Sequence, residues 1–135
     1  MKKKSVMMMF CLILVLALTG CRSKKETNDQ SNQKGTAIYY TNNDVTKLIL
    51  KRKNIRLKGS QIQTLLGELQ KTPKSQNIRS VIPKRIVINS FEVNSNIVQV
   101  DFSMGYKRIA ENKDLICRAG IVYTLTQLKG INYVS

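Results

Sequence analysis

The side chains able to do chemistry are few. Histidine is absent, and three cysteines occur, Cys11, Cys21 and Cys117. The commonest general base and the commonest metal ligand are therefore missing. The cysteines form no Cys-x-x-Cys pair and show no metal-ligand spacing. Asp101 and Ser103 sit together at the end of a run of β-formers, beside Met104-Gly105. Lysine is the only base that Ser103 could recruit. Short polar side chains at a strand-to-loop junction ordinarily satisfy local backbone donors, and we read these two in that way. The seven glycines are scattered and cradle no phosphate. No catalytic residue, no metal site and no cofactor is expected.

The cysteine with a defined chemistry is Cys21. It closes the run "VMMMFCLILVLALTGC", which follows Lys2, Lys3 and Lys4. A positive start and a short apolar segment read as a secretory signal. The apolar part, Val6 to Leu18, has thirteen residues, short of the about 20 needed to cross roughly 30 Å of hydrocarbon. It ends Leu18-Thr19-Gly20-Cys21, which resembles the bacterial lipobox. That resemblance implies cleavage before Cys21 and lipidation of its thiol. Residues 1–20 are then a signal peptide, and 115 of the 135 residues remain. Two acyl chains on Cys21 supply the two anchors that stable attachment needs. The expected location is the extracytoplasmic face of the cell membrane. Cys117 is left as a small core residue, with no cysteine to pair with in its own chain.

Three of the 23 basic residues leave with the signal, so 20 basic face 8 acidic residues, a net charge of +12. Charge of this sign can mean nucleic acid, but a secreted lipoprotein rarely meets any. Attraction to anionic lipid headgroups or wall polymers fits better, set against an ordinary solvated surface. The candidate contact surface is Lys51, Arg52, Lys53, Lys84, Arg85, Lys107 and Arg108, which fall in strands or junctions outside the apolar stripes. Five tyrosines could line a sugar-binding surface; core and edge positions explain them more simply.

Residues 22–35, "RSKKETNDQSNQKG", carry no large apolar side chain and cannot offset ordering entropy. With Cys21 they read as a tether reaching about 20 Å as a coil. The domain spans 36–135. "TAIYYTN" is strand-like and ends in the turn signal Asn42-Asn43-Asp44. "TKLILKRKNIRL" reads as a second strand, bent near Lys53-Asn54. Ile62, Leu65, Leu66 and Leu69 then recur at helical spacing behind Ser60, a helix N-cap, and the helix ends before Thr72-Pro73. A loop follows, with Ile78, Val81 and Ile82 available to pin it. "RIVINSFEV" and "NIVQVDF" read as a hairpin turning at Asn94-Ser95-Asn96. A second helix is predicted from Ala110 to Leu128, with a stripe of Leu115, Ala119, Val122 and Thr126 widened by Ile116, Tyr123 and Leu125. Lys129-Gly130 ends it, and "INYVS" is a last short strand. The predicted core includes Leu65, Leu69, Val100, Phe102, Val122 and Leu125.

The order strand, strand, helix, hairpin, helix, strand predicts one small α+β domain, a mixed sheet with two helices on one face. The ordered pieces "IYYTN", "LLGELQKTP", "SVIP", "VQVDFS" and "VYTLTQLKGINYV" resemble the GerMN domain of sporulation and spore-germination proteins. Thr72-Pro73 stands where that family usually has a Gly-Pro turn. The resemblance implies a non-enzymatic domain, often on a lipoprotein, acting in envelope assembly. It also implies a fold similar to the ring-building domains of secretion systems, which leaves a homo-oligomer open. The alternative function is a cell-surface module for anionic wall polymers or lipid headgroups, unconnected with sporulation.

Overall fold

The computed structural model describes residues 34–57 and 59–135. The signal peptide, Cys21 and nearly all of the tether lie outside the described residues. The first strand, β1 (Thr36–Asn42), buries Ala37, Ile38, Tyr40 and Thr41. This lacks the alternation of a half-exposed strand, because β1 is covered on both faces and lies in the middle of its sheet. On one edge it pairs antiparallel with β2 (Leu48–Lys53), Thr36 opposite Lys53 and Thr41 opposite Leu48. On the other it pairs only at Thr41 and Asn42, with the two-residue β3 (Ile78–Arg79). The predicted second strand stops at Lys53, whose partner Thr36 is the first residue of β1.

The first helix, α1 (Gln61–Gln70), forms as predicted. Ser60 Oγ accepts from the Gln63 amide at 3.3 Å, and Ile62, Leu65, Leu66 and Leu69 are buried. The hairpin also forms. β4 (Ile88–Asn94) pairs with β5 (Ile97–Phe102), with Asn94 opposite Ile97. Asn89 is the extra residue of a bulge between Ile88 and Ser90. β6 (Tyr133–Val134) adds to β5 in parallel.

The α+β class and the two helices agree with the sequence reading, but the strands form two sheets of three, β2-β1-β3 and β4-β5-β6. The cause lies on the free edge of β1. The Gln127 side-chain amide accepts from Ala37 N–H at 2.9 Å and donates to Ala37 C=O at 2.7 Å. Thr124 Oγ1 accepts from Tyr39 N–H at 3.3 Å. Side chains of the second helix and its C-terminal turn thus occupy positions where another strand would bond.

That helix, α2 (Glu111–Leu125), is shorter than predicted and rotated from its predicted phase. Its buried residues are Cys117, Gly120, Ile121, Thr124 and Leu125, while Leu115 is 71% and Tyr123 55% exposed. Close packing explains the rotation. A Cβ on Gly120 would stand 2.7 Å from Val81 Cγ2 and 3.1 Å from Leu48 Cδ2, so α2 turns its smallest residue to the crossing. Leu65, Leu69 and Leu125 are fully buried as predicted. Val100, Phe102 and Val122 are only partly buried, and Val98 takes the inner position on β5. Tyr40, Val81, Ile82 and Ile86 complete the core.

Candidate functional site: a basic cleft

The loop between α1 and β4 is held at both ends. Ile82 N–H donates to Leu69 C=O at 3.2 Å, and Gln70 Nε2 donates to Ile86 C=O at 2.7 Å. Val81, Ile82 and Ile86 are fully buried. Between these anchors Ile86 N–H closes a turn onto Pro83 C=O at 2.9 Å, so Lys84 and Arg85 occupy its exposed corner. Ser103 fixes the next residue: its Oγ accepts from Val87 N–H at 3.1 Å, and its N–H donates to Val87 C=O at 2.9 Å. A 3₁₀ turn, Met104–Arg108, leads from there into α2.

These segments enclose a cleft of about 500 Å³ at the N-terminal end of α2. Five cations line it: Arg79 on β3, Lys84 and Arg85 in the turn, Arg108 ending the 3₁₀ turn, and Lys113 in α2. Its apolar lining includes Val45, Pro73, Ile78, Pro83 and Ile109. No Asp or Glu lines it, and no ion pair joins these five cations to a carboxylate among the described residues. Glu111 and Asp114 face a separate surface with Leu115 and Arg118, where Arg118 Nε donates to Asp114 at 2.7 Å. Val45 is held at φ 54°, a costly conformation for a β-branched residue. The Asn42 side chain fixes that turn by accepting from Thr46 N–H at 2.8 Å and Lys47 N–H at 3.1 Å.

Of the seven cations singled out in the sequence, the structure brings together Lys84, Arg85 and Arg108. Lys107 is exposed outside the cleft lining. Lys51, Arg52 and Lys53 lie on β2, at the end where the chain enters β1. Arg52 donates to Gly35 C=O at 3.2 Å. Lys53 pairs with the buried Glu68 at 3.1 Å and stands over the Tyr40 ring, 5.1 Å from its centroid. Lys71 also pairs with Glu68. Burial works against the charge on Glu68, but hydrogen bonds from Lys71 and Lys53 prevail and hold its carboxyl below the usual range. Sequence reasoning passed over Arg79 and Lys113. Arg79 was detectable, because Ile78, Val81 and Ile82 point inward and leave it outside.

The other candidates are accounted for locally. Asp101 accepts from Asn89 Nδ2 at 2.8 Å and Ser103 bonds the Val87 backbone, so both serve the bulged hairpin. The tyrosines share no single surface: Tyr40 is core, Tyr39 packs on Tyr123 at 5.3 Å, and Tyr106 stacks on Phe102 at 4.7 Å. Burial and the neighbouring Asp114 carboxylate push the Tyr106 phenol well above its usual range. Burial likewise raises the Cys117 thiol, which favours its unreactive form. No helix among the described residues is long and apolar enough to cross a membrane.

Two three-stranded sheets, two helices packed on β1 and each other, and a cleft at one end define a small α+β domain of GerMN type. The chain belongs to the Germane family, described as sporulation and spore germination, whose sequence model matches residues 37–135. The first GerMN domain of the sporulation protein GerM from Bacillus subtilis superposes with a TM-score of 0.62 at 17% identity, over 76% of this chain and 80% of that one. The tandem GerMN domains of the same protein give a TM-score of 0.61 at 18% identity, over 76% of this chain and 38% of that one. No curated protein sequence matches the chain.

Proposed function

We propose that the chain is a lipoprotein, anchored through Cys21 on the extracytoplasmic face of the cell membrane, whose GerMN domain binds other envelope proteins during sporulation or germination without catalysing a reaction. The family match over 37–135 carries this reading. Leu18-Thr19-Gly20-Cys21 supports the anchor, and the absence of histidine supports binding over turnover. A tether that brings the domain within about 20 Å of the bilayer raises its effective concentration against membrane-bound partners.

The test is complementation of a deletion strain in a spore-forming host. Wild type should restore sporulation or germination. Cys21→Ala should leave the membrane fraction, or persist at unprocessed mass, and should fail to complement. A Cys21→Ala protein still membrane-bound at wild-type mass would remove the lipid anchor from the reading. Full complementation by a protein found only in the soluble fraction would remove the need for membrane tethering.

A further inference from the structure

The lining of the basic cleft identifies the chemistry of what it takes. Three of its five cations are arginines, whose planar forks suit carboxylates. With no carboxylate in the lining among the described residues, the cleft carries concentrated positive charge that favours an acidic ligand. The apolar side chains on its walls argue against a purely polar polyanion, such as a glycerol phosphate polymer, which would leave them uncovered. A flat bilayer surface is equally unsuited, because the cations line a recess. The recess also opens at the end of β1 away from Thr36, where the chain enters the domain: β3 pairs with Thr41 and Asn42, while β2 Lys53 faces Thr36. About 500 Å³ is within the usual range for a ligand pocket, about 300–1,000 Å³. That suits a short segment of chain.

We infer that the cleft docks an acidic segment of a second protein that also carries apolar side chains. Arg79, Arg85 and Arg108 take its Asp or Glu carboxylates, and Val45, Ile78 and Pro83 receive an adjoining apolar side chain. This rests on the reading of the domain as a binding module and names the kind of partner it binds.

The experiment is fluorescence anisotropy with the purified full-length chain in detergent. The probes are a labelled peptide of sequence Asp-Leu-Glu-Leu-Asp, its amide form Asn-Leu-Gln-Leu-Asn and its polar form Asp-Ser-Glu-Ser-Asp. Competitors are a glycerol phosphate oligomer and phosphatidylglycerol micelles. The acidic apolar peptide should bind best and should weaken as salt screens the contact. Arg79→Glu with Arg108→Glu should weaken it by about tenfold or more. Lys34→Glu with Lys129→Glu, which makes the same change in net charge at exposed residues outside the cleft lining, should leave it within about twofold. Circular dichroism verifies that both variants fold.

Equal loss in both double variants would reduce the effect to net charge and overturn the assignment. So would binding of the polar acidic peptide as tight as the apolar one, preferential binding of the oligomer or the micelles, or no peptide binding at about 1 mM, the weak end of specific association. If the peptide fails but Arg79→Glu with Arg108→Glu still abolishes complementation, the binding-module reading stands and the ligand class is wrong. If the peptide binds as described but that variant complements fully, the cleft stands and the role assigned to the module is wrong.

Discussion

At the scale of single residues, two helical glycines have opposite meanings. Gly67 is exposed on α1, and a Cβ there would meet nothing within 4 Å. Gly67→Ala should therefore stabilise the domain by about 0.5–1 kcal/mol through helix propensity. Gly120 is buried where α2 crosses Val81 and Leu48, and its Cβ would overlap Val81. Gly120→Ala should destabilise by about 1–3 kcal/mol, the usual cost of overpacking; urea unfolding of the pair reads both signs. Glu68 gives a pH signature. Its carboxyl titrates below the ordinary value of 4.5 in the folded chain, so its stabilising contribution is complete above that value. It is lost as pH falls through the lower, folded value. Stability measured from pH 7 down to about 3 should fall in the wild type, and Glu68→Gln should flatten the part of the fall that Glu68 supplies. Burial works against the Lys53 ammonium, but hydrogen bonds to Tyr40 and Glu68 outweigh it and hold the group above its usual range, so Lys53 stays protonated throughout this window.

At the scale of elements, hydrophobic spacing was informative where large apolar residues do the packing. Ile62, Leu65, Leu66 and Leu69 fix both the existence and the face of α1, and Ser60 marks its start. The hairpin was legible because two β-rich runs flank Asn94-Ser95-Asn96. The face of α2 was not. Its buried side is Cys117, Gly120, Ile121, Thr124 and Leu125, so small and polar residues are three of its five. They are there for close approach and for a hydrogen bond to Tyr39, neither of which periodicity registers. The division into two sheets was hidden for a related reason: the bonds that replace strand pairing come from side chains. β3 escaped notice because two residues are too few to carry a pattern. The corrected burial ranks two truncations. Leu65→Ala, at a fully buried site, should cost about 2–5 kcal/mol. Phe102→Ala, half-buried and stacked on Tyr106, should cost less, about 1–3 kcal/mol. Equal losses by chemical denaturation would contradict the packing described for β5.

At the scale of the whole molecule, the positive charge counted in the sequence acquires a distribution. One group surrounds the start of β1, where Lys53 is engaged with Glu68 and Tyr40. The other rims a cleft at the far end of the same strand. The sequence showed the excess of charge but not this separation, because Arg79, Arg85, Arg108 and Lys113 meet only after the loop folds back between α1 and β4. The Gln127 amide has a consequence at the same scale. An open strand edge is a template on which other chains can polymerise, and β1 is rich in Ile and Tyr, the composition that favours such growth. Gln127 and Thr124 close that template with side chains, so a helix acts as the terminating strand. Gln127→Ala should cost about 1–2 kcal/mol from its lost bonds. The variant should also form, faster than the wild type, concentration-dependent, dye-binding assemblies on prolonged incubation, detected by light scattering. A variant that assembles no faster than the wild type would show that β1 is protected by something other than this amide. If the assemblies form, solubility in this domain depends on one uncharged side chain, and the surplus of lysine and arginine alone does not prevent fibre growth.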